Sequence, residues 1–160
     1  MKLSKNDDIK LNIDSLTSEG SGIGRFDGFA VFVRGVVPGD EVIAHIIKCS
    51  KNYAIGIVKD IIKPSEFRIE SDCPVSSKCG GCSFRNVSYD EELRYKKGRV
   101  QDALERIGKL DIEVEEIIGA DKCSHYRNKA QYPVSICDGE LFAGFYAYKS
   151  HRIICNDDCA

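Results

Sequence analysis

Alternating hydrophobic and polar positions dominate the first 63 residues and predict short β-strands. Ile9, Leu11 and Ile13 alternate with polar residues, which is typical of a strand with one buried face. The pair Asp27-Gly28 stands between two apolar runs and predicts a tight hairpin turn. The predicted strands lie at about 9–13, 23–26, 29–33, 41–48 and 53–62. Five short strands with tight turns predict a small closed barrel, because closure removes exposed strand edges.

The pattern changes after residue 63, and the remainder predicts a small α+β domain. A capping-box sequence at 88–91 precedes a helical apolar pattern, and Gly108 is a plausible helix end. One predicted helical face carries Leu93, Val100, Leu104 and Ile107. Alternation predicts strands at about 111–117, 126–134, 141–147 and 151–154, with a hairpin turn at 137–140. We therefore expect two domains, a β-barrel at 1–63 and a helix packed on a mainly antiparallel sheet at 64–160.

Composition limits the functional classes. The 160 residues are 42% hydrophobic and 30% charged, as in ordinary globular proteins, and the formal net charge is −2. A nucleic-acid partner would therefore be recognised by local patches rather than by a global basic field. No apolar run is long enough to span a bilayer, and the start has no signal-peptide core. We expect a cytoplasmic, monomeric protein with no membrane partner, in which the eight cysteines are reduced.

Three cysteines lie close together in a loop after the barrel. Cys73 is followed after five residues by Cys79-Gly80-Gly81-Cys82, and the two glycines let the chain curl around a bound group. An iron–sulfur cluster takes four thiolates, often three from one tight loop and one from far away. A structural zinc site more often uses paired knuckles with two to four residues between ligands, and a redox disulfide is a third possibility. The spacing favours a four-iron cluster.

The fourth ligand has two candidates. Cys159 and Cys155 both lie far from the loop in sequence, near the end of the last predicted strand. Their spacing alone does not separate them. Cys49, Cys123 and Cys137 are scattered singly, and we expect them to be buried or half-exposed side chains. The same holds for Cys155 or Cys159, whichever is not a ligand.

Candidate nucleic-acid contacts occur in both domains. In the barrel, basic side chains could meet phosphates and aromatic rings could stack on bases. These barrel residues are Arg25, Phe26, Phe29 and Arg34. In the second domain, period-two alternation would place Arg127, Lys129 and Gln131 on one strand face, where they could contact phosphate or base. An ordinary solvated polar face would have the same pattern.

Several motifs carry a resemblance to known families. Gly20–Arg25, Asp27-Gly28, Val31–Val33 and Val37–Val42 together resemble the TRAM domain, an OB-like RNA-binding barrel attached to RNA-modifying enzymes. The whole order of motifs, with the cysteine loop, the 126–131 segment and a late cysteine, resembles the front of the RNA (uracil-5-)-methyltransferases, in particular their 23S rRNA branch. This resemblance implies a [4Fe-4S] cluster on Cys73, Cys79, Cys82 and Cys159. It also implies that the segment carrying Arg127, Lys129 and Gln131 lines the RNA-binding surface.

One part of that family's pattern is missing from the sequence. In the family, catalysis takes place in a C-terminal domain that binds S-adenosylmethionine and supplies a cysteine nucleophile, and we find no such domain here. We therefore expect a fragment that positions RNA and contains no catalytic or cofactor-binding residue. Alone, it would methylate nothing. Two alternatives are a non-enzymatic zinc-binding RNA-binding protein and a fragment of a TRAM-containing radical methylthiotransferase. The second normally has a different cysteine spacing and carries its TRAM domain last.

Overall fold

The computed structural model describes residues 3–137, 139–156 and 159. The chain forms two compact units, Met1–Glu70 with Asn86–Ser88, and Ser71–Arg85 with Tyr89–Ala160. Among the described residues, no helix combines the length and apolar character needed to cross a bilayer.

The first unit is built on the five-stranded closed barrel that the sequence predicts. Its strands are β1 Asp8–Leu16, β2 Gly22–Phe26, β3 Phe29–Arg34, β4 Glu41–Cys49 and β5 Tyr53–Lys63. Their order around the barrel is β1-β2-β3-β5-β4, and β4 pairs with β1 to close it. Only β3 and β5 run parallel; the other four pairings are antiparallel.

The β2–β3 hairpin shows how the turn sequence sets the register. Asp27 and Gly28 have φ angles of 49° and 81°, so both central residues are left-handed, as a type I′ turn requires. Phe26 therefore pairs with Phe29 across the turn, and every later pair follows from that register. The predicted hairpin is confirmed.

Alternate strand residues point inward and form the barrel core. On β1, Ile9, Leu11 and Ile13 are buried, as their alternation predicts. Val31 and Val33 on β3 are fully buried, and the outward residue between them, Phe32, is only partly covered. Truncating a buried residue such as Leu11 to alanine would cost about 2–5 kcal/mol of stability. Hydrophobic burial thus holds the barrel together.

A buried carboxylate attaches the segment after β5 to the barrel. Asp40 is fully buried and accepts hydrogen bonds from the backbone nitrogens of Val37 at 2.7 Å and Ser65 at 2.9 Å. The guanidinium of Arg68 donates to the same carboxylate, from Nη2 at 2.5 Å and Nε at 3.1 Å. The first unit therefore continues to Glu70, although its last strand ends at Lys63, where the sequence analysis placed the boundary.

The predicted helix is present, but its surroundings differ from the prediction. It comprises α1 Tyr89–Asp102, followed by a π-helical turn at Ala103–Ile107. No residue of either segment is buried, and Val100 and Ile107 are 52% and 83% exposed. The expectation that the apolar face of this helix packs on the sheet was therefore wrong. Gly108 ends the helix in a right-handed conformation, and the left-handed residue is Lys109.

An extended segment without strand pairing takes the place of the strand predicted at 111–117. Helix side chains bind its backbone instead. Gln101 donates to the carbonyl of Ile112 at 2.9 Å and accepts from the nitrogen of Val114 at 2.7 Å. Lys97 donates to the carbonyl of Glu115 at 3.0 Å. The strand prediction failed because these side chains supply the hydrogen bonds that a neighbouring strand would have supplied.

A three-stranded antiparallel sheet forms the remainder of the second unit. Its strands are β6 Val134–Cys137, β7 Glu140–Tyr146 and β8 Ile153–Cys155, with β7 in the centre. Gly139, with φ of 84°, lies in the predicted β6–β7 turn, whereas Asp138 lies outside the described residues. The strand predicted from Tyr126 begins only at Val134, so the alternation at 126–132 does not correspond to a strand.

Candidate functional site

The thiol loop is fixed against the end of β7. The nitrogen of Gly80 donates to the carbonyl of Tyr146 at 2.9 Å, and Cys79 forms an isolated antiparallel bridge with Ala147. A Cβ at Gly80 would lie 2.7 Å from that same carbonyl oxygen, so only glycine allows this approach. Inside the loop, the nitrogen of Cys79 donates to the carbonyl of Val75 at 2.8 Å. The loop is therefore held in one position relative to β7.

The four cysteines implied by the resemblance line one pocket in the second unit. These are Cys73, Cys79, Cys82 and Cys159. The other described residues that line it are Ser76, Gly81, Arg85, Arg127, Phe145 and Asn156. Cys155 is not among the described lining residues; it ends β8, pairs with Gly144 and is exposed.

Two arginines bring positive charge to this cysteine pocket. Arg85 donates from Nη2 to Asp72 at 2.8 Å, and the guanidinium carbon of Arg127 lies 6.0 Å from the centre of the Phe145 ring. Cys82 is exposed as a residue, yet burial of its thiol raises its pKa. The charges of Arg85 and Arg127 lower that pKa, and the neighbouring thiols of Cys159 and Cys79 raise it. The net effect is a raised pKa, which favours the neutral thiol.

The cysteine pocket is not preformed for the implied cluster. Within the described part of the chain, no three or more His, Cys, Asp or Glu side chains are grouped so as to hold a metal ion. The iron–sulfur part of the predicted fold therefore has no preformed metal site to support it. The cavity is about 20 Å³, enough for one water molecule, so the pocket would have to widen before a cluster could bind.

The donor chemistry of the pocket does fit a thiolate-ligated cluster. Its described lining contains four cysteines and no histidine or carboxylate. In a four-iron cluster each iron takes one thiolate, so the four sulfurs surround the cluster instead of converging on a single ion. Three cysteines from one loop and one from a distant segment match that requirement.

In the barrel, the structure separates the predicted RNA contacts into two groups. Arg25 is exposed on β2, and its Nη1 lies 3.4 Å from the carbonyl oxygen of Gly28. Arg34 is half-buried on β3, at an outward position beyond Val33. Phe26 and Phe29 are partly buried and pack against the barrel core. The rings of both residues are therefore engaged in packing, which disfavours the base stacking expected of Phe26 and Phe29.

The sequence analysis missed a pair of aromatic rings on the outer surface of the barrel. Phe32 and Tyr53 make an edge-to-face contact with ring centres 5.6 Å apart. Ala30 of β3 pairs with Tyr53, and Phe32 lies two residues along β3, on the same outward face as Arg34. We call Arg25, Phe32, Arg34 and Tyr53 the β3 face. Alternation within β3 could have indicated that Phe32 points outward, but not that β5 brings Tyr53 beside it.

The three candidates of the second unit do not share a strand face. Arg127, Lys129 and Gln131 precede β6, and all three are exposed. Arg127 lines the cysteine pocket, and neither Lys129 nor Gln131 is among the described residues that do so. The expectation of one strand surface carrying all three was therefore wrong, because the local alternation has no pairing partner that would make it a strand.

Comparison with known proteins agrees with the architecture. A family profile for the TRAM domain matches residues 6–59. An uncharacterized RNA methyltransferase of Listeria monocytogenes serotype 4b is 45% identical over 98% of this chain, which covers 35% of that relative. One of Halalkalibacterium halodurans is also 45% identical, over 98% of this chain and 34% of the relative. The chain thus spans about a third of the length of these relatives.

A solved structure supports the fold. The Pyrococcus abyssi tRNA (uracil-54, C5)-methyltransferase, in complex with S-adenosyl-L-homocysteine, matches 93% of this chain with a TM-score of 0.57 and 21% identity; the match covers 32% of that chain. The 45% identity to relatives named RNA methyltransferases confirms the resemblance to RNA methyltransferases inferred from the sequence. Residues 6–59 are a TRAM domain, and the chain as a whole is homologous to a region of RNA methyltransferases that makes up about a third of their length.

Proposed function

We propose that this chain is the RNA-holding part of an S-adenosylmethionine-dependent RNA (uracil-5-)-methyltransferase that acts on 23S rRNA as a monomer in the cytoplasm. The observation that carries the proposal is the 45% identity to proteins named RNA methyltransferases over 98% of this chain. The fold shared with a tRNA uracil-5 methyltransferase supports the uracil-5 chemistry. Methyl transfer itself would belong to the remaining two thirds of the enzyme.

The β3 face is proposed as the main RNA-binding surface of the barrel. Arg25 and Arg34 supply positive charge for phosphates, and the Phe32–Tyr53 pair presents aromatic surface on which unpaired bases can stack. Lys129 and Gln131, both exposed, extend the contact surface within the second unit. These side chains would bind and orient RNA without taking part in bond making.

We further propose that Cys73, Cys79, Cys82 and Cys159 hold a [4Fe-4S] cluster. The four thiols around one pocket, with no carboxylate or imidazole in its described lining, support this ligand set. When bound, the cluster would supply a cross-link between the thiol loop and the segment after β8. Its effect would be structural, because joining distant segments restricts the unfolded chain.

The cluster proposal is tested by metal analysis of anaerobically prepared protein. We expect iron and sulfide in equal amounts, loss of both in Cys159→Ser, and retention of both in Cys155→Ser. Cys155 is the matched control because it is exposed, lies four residues away and does not line the pocket. Zinc in place of iron would refute the cluster, and cluster loss only in Cys155→Ser would refute the ligand set.

RNA binding is tested by fluorescence anisotropy with a uridine-rich single strand. Since one stacked base contributes about 1–3 kcal/mol, Tyr53→Ala should weaken binding by about 5- to 150-fold. Arg34→Ala should reduce the slope of log affinity against log salt by about 0.7 for each lost phosphate contact. Lys10→Ala is the control, because Lys10 lies on β1 and pairs with Glu41, away from the β3 face. Equal effects from Lys10→Ala and Arg34→Ala would argue against this surface.

A further inference from the structure

Arg85 has a buried hydrogen-bond donor for which the described residues supply no acceptor. Its side chain is only 16% exposed, and Asp72 holds one end of the guanidinium, with Nη2 2.7 Å from Oδ1. Nη1 lies 3.4 Å from the hydroxyl oxygen of Ser124. The Nε–H is buried and has no partner among the described residues. Two of the three guanidinium nitrogens thus have a hydrogen-bond acceptor, and Nε has none among the described residues.

An unpaired buried donor is unusual and points to a missing acceptor. Leaving such a group unsatisfied costs about 1–3 kcal/mol, so native structures contain few of them. Arg85 lines the cysteine pocket. A group bound there through four thiolates would bring negatively charged sulfur atoms to the wall of which Arg85 is part. Sulfur accepts hydrogen bonds from N–H groups, and such bonds are among the factors that set cluster potentials.

We propose that Arg85 is a positioning residue that donates its Nε–H to a sulfur atom of the bound [4Fe-4S] group and makes the cluster easier to reduce. This inference rests on the proposed cluster. Asp72 fixes the guanidinium, so the direction of the Nε–H is set before the cluster binds. The hydrogen bond strengthens as negative charge on the sulfurs increases, and it therefore stabilises the reduced cluster more than the oxidised one.

The test compares Arg85→Lys with the unaltered chain after anaerobic reconstitution. Lysine keeps the positive charge and lacks the Nε–H donor that Asp72 holds in place, so a changed potential would not be caused by loss of charge. Iron and sulfide are measured first. A redox mediator then transfers one electron to the cluster, with no bond broken, and EPR measures the fraction of reduced cluster. We expect the ratio of reduced to oxidised cluster at a fixed potential to fall about tenfold, which is about 59 mV for a one-electron couple.

Arg99→Lys is the matched control. Arg99 is an exposed arginine on α1 that is not among the described residues lining the pocket. The reduction potential of the cluster in Arg99→Lys should therefore equal that in the unaltered chain. A second measurement does not depend on whether Arg85→Lys folds. Pulsed EPR of the unaltered chain carrying ¹⁵N-labelled arginine should show coupling between the reduced cluster and an arginine nitrogen, and Arg127→Lys should retain that coupling.

The outcomes separate the inference from the proposal on which it rests. Protein that takes up no iron and sulfide would overturn the cluster and the inference together. A cluster whose potential is unchanged in Arg85→Lys would overturn the role of Arg85 alone. If Arg85→Lys does not fold, absence of the nitrogen coupling, or its disappearance in Arg127→Lys, would overturn that role equally.

Discussion

Replacing Asp40 by alanine would remove the acceptor that joins the barrel to the segment following β5. Asp40 is completely buried and serves four donors, two from backbone nitrogens and two from the guanidinium of Arg68. Arg68 is itself only 16% exposed, so in Asp40→Ala its charge would stay mostly buried without a counter-ion. The variant therefore combines a broken buried ion pair with two orphaned backbone donors.

Breaking one side of a buried ion pair costs about 3–5 kcal/mol. Domains of this size are stable by about 5–15 kcal/mol in total, so the barrel would lose a large part of its stability. With a urea dependence of about 1–2 kcal/mol per molar for a small unit, the unfolding midpoint should fall by about 1.5–5 M. The side chain of Asp40 is short and polar, so the cavity left by alanine would add little.

Urea unfolding followed by circular dichroism and tyrosine fluorescence measures this loss; the chain has no tryptophan. Glu41→Ala is the matched control. Glu41 is the next residue and pairs with the exposed Lys10 at 2.6 Å, and surface pairs of this kind contribute about 0–1 kcal/mol. If Asp40→Ala and Glu41→Ala had equal midpoints, the Asp40 network would not stabilise the barrel.

Two further predictions concern exposed groups. Lys129→Ala should flatten the salt dependence of RNA binding. Arg127→Ala should mainly lower the iron content, because Arg127 lines the cysteine pocket and packs on Phe145. If Lys129→Ala lowered the iron content and Arg127→Ala flattened the salt dependence, the two roles would be wrongly assigned. Hydrogen bonding to Lys59, and then to His45, lowers the pKa of Asp8 from its ordinary value of 3.8. The ionised Asp8 carboxylate therefore stabilises the folded chain above pH 3.8, and this contribution is lost as the pH falls through the lowered pKa. Asp8→Asn should reduce the thermal midpoint near neutral pH and match the unaltered chain once the pH lies below the lowered pKa of Asp8. A difference that persists in acid would show that charge is not the cause.

The barrel could be predicted because its signals are local. Period-two alternation marks the buried face of each strand, and Asp27-Gly28 sets the register of the β2–β3 hairpin without help from distant residues. The parallel pairing of β3 with β5 depends on closure of the whole barrel. For that reason Phe32 and Tyr53 were not recognised as neighbours from the sequence.

The second unit was harder to predict because alternation there has other causes. The segment at 111–117 alternates, yet Gln101 and Lys97 bind its backbone and no strand forms. The segment at 126–132 alternates as well, and its strand begins only at Val134. Local pattern cannot distinguish a strand from an extended segment held by side chains, since both satisfy backbone groups and expose alternate residues. The three scattered thiols that the structure describes, Cys49, Cys123 and Cys155, are likewise exposed, although the sequence analysis expected burial or half-exposure.

Arg127 illustrates how the two proposed functions of the second unit meet. The sequence places it two residues before Lys129, in a segment with the composition of an RNA contact. The structure places it in the described lining of the cysteine pocket, whereas Lys129 is exposed and is not part of that lining. The position of Lys129 therefore depends on a segment whose start is anchored beside the thiols. A cluster in that pocket would act on RNA indirectly, by fixing the segment that carries Lys129 and Gln131. This is consistent with a structural role for the cluster, since such anchoring requires a stable cross-link and no change in its oxidation state.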